Sequence, residues 1–473
     1  MKIKHSHIIF STLILLFLPL SLFFTFWLSY SLLYWLFSLY LFRHLIPYIR
    51  EHFKEEILLP WLPTLGAALI ILLWIIYGGI GKIGYQNFDY VKHNSIYFDL
   101  IKNSWPVTTT YENRPYYLVY YLAYYLVPAG LGKIFDSFLV LEIASILQAF
   151  SIISVIFLLL IIIGKVKNFL LLVLAFIFWG GLDIFGNLIF QQDYSKKFGE
   201  FPEWWAGASN FQYTGFTDLL YWVPQHALGG WLSATLCFVF LQRRLFLTLP
   251  FLVCLSLLWS PFVCIGLLPF LWVGLQSHHT FKNKIEWLFS RYGNFALLIL
   301  LILMSYYATS SYEQPFKWQY TKMGANEFIP RYFTFLFLEI GIPSLFIFLH
   351  RKILTPEMKL YFYATLLFLS FTPHIYLGVY SDFAMRASIV GLFSLFVLSL
   401  TIFCQLPLQN KMKVFTLTFI LLTSYSAVSD FYRAQKLKHT LLDYGPTKVF
   451  DPNGISKQYL GLKDSTFFKF FFK

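Results

Sequence analysis

Residues 8–42 run for 35 positions without a charged side chain. The hydrocarbon core of a bilayer is about 30 Å thick and is crossed by roughly 20 apolar helical residues. A run of 35 is too long for one crossing without steep tilt, and Ser29, Tyr30 and Ser31 near its middle predict a tight hairpin of two helices. The run also exceeds the roughly 7–15 apolar residues of a signal peptide, and no small-x-small site follows, so a cleaved leader is not expected. Comparable runs recur to residue 429, and only 12% of the residues are charged. A soluble domain carries roughly a quarter. In lipid the backbone must satisfy its own hydrogen bonds, which leaves helices or closed barrels. Uninterrupted Leu, Ile and Phe runs differ from the short alternating strands of an outer-membrane barrel. The sequence therefore predicts an all-α polytopic membrane protein.

Beyond the first hairpin, spans are expected near 57–80, 137–163, 168–190, 223–241, a hairpin over 246–276 broken at Ser260 and Pro261, and then 292–311, 331–350, 358–378, 386–405 and 412–429. That makes roughly twelve crossings. The chain divides into residues 1–56 (the hairpin and a charged connector), 57–429 (a transmembrane domain whose outer loop is 81–136) and 430–473 (a polar tail). Lys165, Lys167, Arg243, Arg244, Lys282, Lys284, Arg291, Arg351, Lys352, Lys359, Lys411 and Lys413 fall in short loops of one side, which the positive-inside rule assigns to the cytoplasm. These loops account for much of the net charge of +13, so no nucleic-acid partner is expected. The tail carries eight lysines and arginines, yet the span count places it outside. Long tails translocate regardless of charge. The four cysteines lie in apolar runs without ligand spacing and read as inert thiols.

The first long polar interruption is 84–115. Between Asp89 and Asn103 no proline or glycine intervenes, and Tyr90, Val91, Tyr97, Phe98 and Ile101 recur at helical spacing. Asn87 is placed to cap this helix, and Trp105 and Pro106 end it. Too short and polar to cross, it should lie along the outer surface. Asp89 and His93 are one turn apart, with Lys92 and Asp99 on a neighbouring stripe. Asp89 and Asp99 are separated by roughly 15 Å along the axis, so they cannot form one acid/base pair. Asp89, nearest the preceding span, is the better candidate base, and Asp99 the supporting residue. The bland alternative makes Asp89, Lys92, Asp99 and Lys102 a solvated face. Six tyrosines follow between 116 and 125, predicting a partly embedded surface helix over 116–132.

Two further groups sit at the outer ends of later spans. Pro224, Gln225 and His226 open one, with Ala227, Gly229 and Gly230 allowing close helix approach. His226 is either a phosphate or hydroxyl contact or a histidine satisfied within the bundle. The second group runs from Tyr380 and Ser381 to Asp382 and Arg386, an i,i+4 pair. It is either a local cap and salt bridge, or places the planar Arg386 fork against a phosphate. Arg114 and Arg331 lie at outer boundaries, Glu142 and Glu339 within spans, and Trp204 and Trp205 in a candidate lid. His93, Arg114, His226, Arg331, His374, Asp382 and Arg386 all map to the outer half, which suits a surface enzyme better than a conduction path.

An apolar span, then Phe88, Asp89 and Tyr90 opening a surface helix, then Trp105, Pro106 and a tyrosine-rich segment resembles the first outer loop of GT-C-type integral membrane glycosyltransferases, the superfamily of protein mannosyltransferases and aminoarabinose transferases. The resemblance covers about 60 residues and the general layout of spans. It implies an enzyme of the cell membrane that moves a sugar from a polyprenyl-phosphate donor to an acceptor hydroxyl at the outer face, with inversion. Asp89 would be the general base, and Lys92, His93, Asp99, Arg114, Gln225, His226, Asp382 and Arg386 would bind substrate. Relatives in that group carry an acidic pair where this chain has Asp89 and Tyr90. The single carboxylate does not indicate a divalent cation, and no cofactor is expected. A lipid or polysaccharide transporter, or a scaffold subunit of envelope assembly, are the alternatives.

Overall fold

The computed structural model describes residues 1–111, 113–190, 211–310, 316–378, 382–407, 411–437, 441–446 and 459–472. The structure is mostly helical, at 74%. The N-terminal run folds as expected into two helices, α1 (His5–Phe26) and α2 (Ser31–His52), turning at Ser29 and Tyr30. A hydroxyl–hydroxyl bond of 2.9 Å between Ser21 and Tyr34 joins them. Strands β1 (Lys2–Lys4) and β2 (Glu56–Leu58) pair antiparallel and close the base of the hairpin.

Helix α3 (Trp61–Tyr77) ends in a turn where Gly79 has φ 81°. A Cβ at Gly79 would lie 2.5 Å from the Tyr85 carbonyl oxygen, so the turn requires glycine. It delivers the chain to α4 (Asp89–Lys102), the helix expected after Asn87, whose side chains are mostly buried rather than laid along a surface. The next stretch departs from expectation. Residues 116–132 are not one helix: β3 (Thr108–Tyr111) and β4 (Arg114–Leu118) form a hairpin, and α5 (Ala123–Ile134) starts only afterwards. Aromatic residues suit a strand when both edges find partners. The second edge of β4 is taken by β7 (Leu460–Leu462), more than 300 residues later in the chain.

Helix α6 (Phe138–Gly164) is capped by the Ser137 hydroxyl, which accepts the Val140 N–H at 3.3 Å. The expected span 168–190 is broken into α7 (Phe169–Ile177) and α8 (Asp183–Ile189), with Gly180 and Gly181 between. Then come α9 (Phe216–Trp222) and α10 (Pro224–Gln242). The 246–276 region breaks where expected into α11 (Leu249–Cys254), α12 (Pro261–Gly266) and α13 (Leu268–Gln276), with Ser260 capping α12. Helices α14 (Phe281–Leu288) and α15 (Arg291–Tyr307) meet at a 60° bend. Strand β5 (Phe316–Trp318) precedes α16 (Gln319–Met323) and α17 (Ala325–Leu336), which continues through a π turn at Phe337–Gly341 into α18 (Ile342–Leu349). Helix α19 (Pro356–Phe371) and strand β6 (Ile375–Leu377), paired with β5, lead to α20 (Asp382–Gln405) and α21 (Lys411–Lys436). Helix α22 (Thr466–Phe471) closes the described chain.

Among the described residues, five helices are long and apolar enough to cross a membrane: α1, α2, α6, the α17–α18 unit and α20. Counting the bent α14–α15 pair makes six, against the roughly twelve expected. Most of the remaining expected spans are shortened or interrupted at Gly, Pro or Ser positions, as in α7–α8 and α11–α13. The centre is built on α10 and α20. Helix α10 is buried on every side from Pro224 to Leu241, packed against α6 and α20. The segment set apart in the sequence as a tail packs back onto the first polar loop. The Leu442 carbonyl accepts from Asn94 at 2.9 Å, β7 extends the β3–β4 hairpin, and the Ser29 hydroxyl donates to the Phe472 carbonyl at 2.9 Å.

Candidate functional site

Helix α4 does not present a solvated face. Lys92 and Asp99 are 7% and 6% exposed, and only Lys102 of the four charged residues points to solvent. Asn87 fixes the amino end: its Oδ1 accepts the Asp89 N–H at 3.0 Å while its Nδ2 donates to the Tyr221 carbonyl at 2.7 Å. Tyr90 donates to the Gly78 carbonyl at 2.7 Å, tying the helix to the end of α3. Asp89 is left half-buried, and the Lys92 ammonium donates to its Oδ2 at 3.4 Å. Burial pulls the Lys92 ammonium down, but Asp89 and Tyr120 together outweigh it and leave Lys92 above the usual lysine range. His93 has its Nδ1 2.7 Å from the Tyr125 hydroxyl and its Nε2 3.5 Å from the Trp222 carbonyl. Burial, with the Lys92 ammonium beside it, holds the imidazole well below the usual histidine range, so it is neutral.

The N-terminal ends of α10 and α20 meet α4 here. His226 is completely buried, with neither ring nitrogen hydrogen-bonded, and Arg386, Lys92 and His93 are its charged or titratable neighbours. Its ring lies 5.2 Å from that of Tyr121. Gln225 donates to the Tyr120 hydroxyl at 3.4 Å, and its Oε1 has no partner. Arg386 pairs with Asp382 at 2.8 Å, as the i,i+4 spacing predicts, and donates to the Tyr121 hydroxyl. Its Nε remains without a partner. The guanidinium also interacts electrostatically with Tyr120 and with Tyr459, from the residue just before β7.

Asp89, Lys92, His93, Gln225, His226, Asp382 and Arg386, drawn from three distant stretches, thus converge on one region. Two other expected site residues do not join it. Asp99 is buried further along α4, roughly 15 Å from Asp89. Arg114 is exposed at the start of β4, roughly 20 Å of extended chain from Tyr120. Arg331 is engaged elsewhere, bonded to Glu327 at 2.8 Å, and the His374 ring packs 4.7 Å from that of Tyr332. Trp204, Trp205, Tyr380 and Ser381 lie outside the described residues.

Reading the sequence missed Tyr120, Tyr121 and Tyr459. The first two were hidden inside a run taken for an interfacial helix. Tyr459 lacks any local signal, because strand pairing with β4 is what carries it to the site. Among the described residues, no three His, Cys, Asp or Glu side chains are grouped to hold a metal ion. Chemically, the region offers a half-exposed carboxylate able to accept a proton. Beside it are an ammonium and a guanidinium able to meet developing negative charge. His226 is completely buried, so a substrate reaching it must displace the side chains that now bury it.

No family model matches this chain, and neither a curated protein nor a solved structure matches it.

Proposed function

We propose that this protein is a multi-pass glycosyltransferase of the cell membrane, with roughly twelve crossings and a GT-C-like layout. It transfers a sugar from a polyprenyl-phosphate donor to an acceptor hydroxyl at the outer face. The observation that carries the reading is the placement of the half-exposed Asp89 carboxylate 3.4 Å from buried Lys92, in one electrostatic group with Arg386. Asp89 removes the proton of the acceptor hydroxyl as its oxygen attacks the anomeric carbon, and the bond to the donor phosphate breaks on the opposite side. One base and one displacement give inversion. Arg386 and Lys92 take up the charge released on the departing phosphate, and His226 and Gln225 supply hydrogen bonds to it or to the sugar. Burial of the cations supports this division, since ionic contacts strengthen where water is excluded.

The test is sugar transfer by purified protein given a polyprenyl-phosphate-linked sugar and a panel of acceptor hydroxyls. Asp89→Asn should lower the rate by about 10²–10⁴-fold, the usual contribution of a positioned base. Full activity in that variant refutes the role of Asp89.

A second reading, a lipid or polysaccharide transporter, is favoured by one observation. Glu339 is 4% exposed within the π turn of the α17–α18 unit, and its carboxylate occupies the space left by Gly181 in the α7–α8 break. Carboxylates at broken helices within a membrane commonly serve transport. Movement of the lipid-linked sugar across liposomes with no new glycosidic bond would select this reading.

A further inference from the structure

The 60° bend between α14 and α15 is written into the chain at both helix starts. The Thr280 hydroxyl caps α14 by accepting the Asn283 N–H at 3.2 Å, and the Ser290 hydroxyl caps α15 by accepting the Gly293 N–H at 3.2 Å. A Cβ at Gly293 would run into the Leu288 carbonyl. One side chain then fixes the rotation of α14 about its own axis. Trp287 is 3% exposed and donates its indole N–H to the Phe246 carbonyl at 2.9 Å, and a Cβ on Gly274 of α13 would lie 2.8 Å from its ring. With Trp287 turned into the bundle, the other bulky apolar residues of α14 are left uncovered: Phe281 is 79%, Ile285 41% and Leu288 48% exposed.

At 3.6 residues per turn these three fall within about 60° of arc. Lys282 stands on one flank of the stripe and Lys284 on the other, while Asn283 and Glu286 take the far side. Arg291 is exposed just beyond the bend, and Glu286 is the only acid between residues 276 and 294. Its carboxylate is 3.9 Å from the Lys282 ammonium with both side chains well exposed, a contact that water largely screens. A stripe of bulky apolar residues edged by cations suits neither bulk water nor the bilayer interior. It suits the boundary between them, where rings and alkyl groups enter the acyl region and lysines reach out to phosphate. We propose that α14 is an interfacial helix that binds anionic lipid headgroups through Lys282, Lys284 and Arg291, while Phe281, Ile285 and Leu288 enter the acyl layer. Three cations against one carboxylate select an anionic headgroup over a zwitterionic one. This lipid site needs α15 to lie in the membrane and is independent of what reaction Asp89 performs.

The experiment has two arms, both on the full chain. In the first, Ile285→Cys carries a thiol-reactive fluorophore in nanodiscs of phosphatidylcholine and phosphatidylglycerol, with identically treated wild type as the blank for the native cysteines. Emission should be quenched by a nitroxide on the upper acyl chain and spared by aqueous iodide, and Asn283→Cys should show the reverse. Quenching of the Ile285→Cys label by iodide alone places the stripe in water, and quenching by neither means that protein, such as a second copy of the chain, covers it. Either result overturns the proposal. In the second arm, thermal unfolding in detergent is followed with added phosphatidylglycerol or phosphatidylcholine. Phosphatidylglycerol should raise the midpoint more, and the excess should be lost in the combined Lys282→Gln, Lys284→Gln and Arg291→Gln variant. Equal rises from the two lipids in the wild type, or an undiminished excess in the variant, overturn the anionic site.

Discussion

Asp89 and Lys92 lie one turn apart on α4 with 3.4 Å between carboxylate and ammonium, and the lysine is the more buried partner, its side chain 8% exposed against 32%. A buried cation beneath a more accessible carboxylate leaves the carboxylate free to face an incoming hydroxyl while remaining anchored. Lys92→Met should therefore reduce sugar transfer by about 10²-fold, the scale of one lost electrostatic contact in an active site. Steady-state rates in detergent would check this, and an unchanged rate would show the pair to be purely structural.

Asn87 holds two partners at once, the Asp89 N–H and the Tyr221 carbonyl. Asn87→Ala should destabilise the protein by about 1–3 kcal/mol, because buried groups lose their hydrogen-bond partner. It should also lower turnover by shifting the start of α4. Thermal unfolding alongside transfer rates would separate the two effects. Asn87→Asp should restore the contact to the Asp89 N–H but not the donation to Tyr221.

His93 is neutral when folded, with its proton affinity depressed, while in the unfolded chain it titrates near the ordinary value of 6.5. The unfolded state therefore binds the extra proton first as pH falls. Stability contributed by the neutral imidazole is present above about pH 6.5 and is lost below it, at up to about 1.4 kcal/mol per pH unit for one proton. The midpoint of unfolding between pH 7 and pH 5 should decline in the wild type and decline less in His93→Gln.

Gly181 and Gly66 should respond oppositely to alanine. A Cβ at Gly181 would sit 1.8 Å from Glu339 Oε2, whereas one at Gly66 meets nothing within 4 Å. Gly181→Ala should cost about 1–3 kcal/mol through overpacking. Gly66→Ala should be neutral or stabilising by up to about 1 kcal/mol, because it restricts the unfolded chain. Comparative thermal unfolding of the two variants tests the assignment of Glu339 to this contact.

The N-terminal helical hairpin and the extent of α4 were readable from the chain because their causes are local. The charge-free length of 8–42, the turn residues at its middle, and the Trp105 and Pro106 stop after α4 each act within a few residues. Ser260 likewise announced the break it caps. The Asp382–Arg386 pair follows from i,i+4 spacing alone. By contrast, 116–132 was misread because its tyrosines suit either a wet helix or a strand, and the choice was made by β7 from the other end of the chain.

The sequence by itself determined a helical membrane protein, the boundaries of α4, and which residue types stand at the N-terminal ends of α10 and α20. Tertiary structure decided which of them meet: Lys92, His226 and Arg386 come together, while Asp99 and Arg114 are left aside. It also placed Tyr459 beside Arg386. The reason is physical. Periodicity fixes which face a side chain occupies on its own helix, but contact between distant helices depends on how their surfaces pack, and no short stretch of sequence encodes that distance.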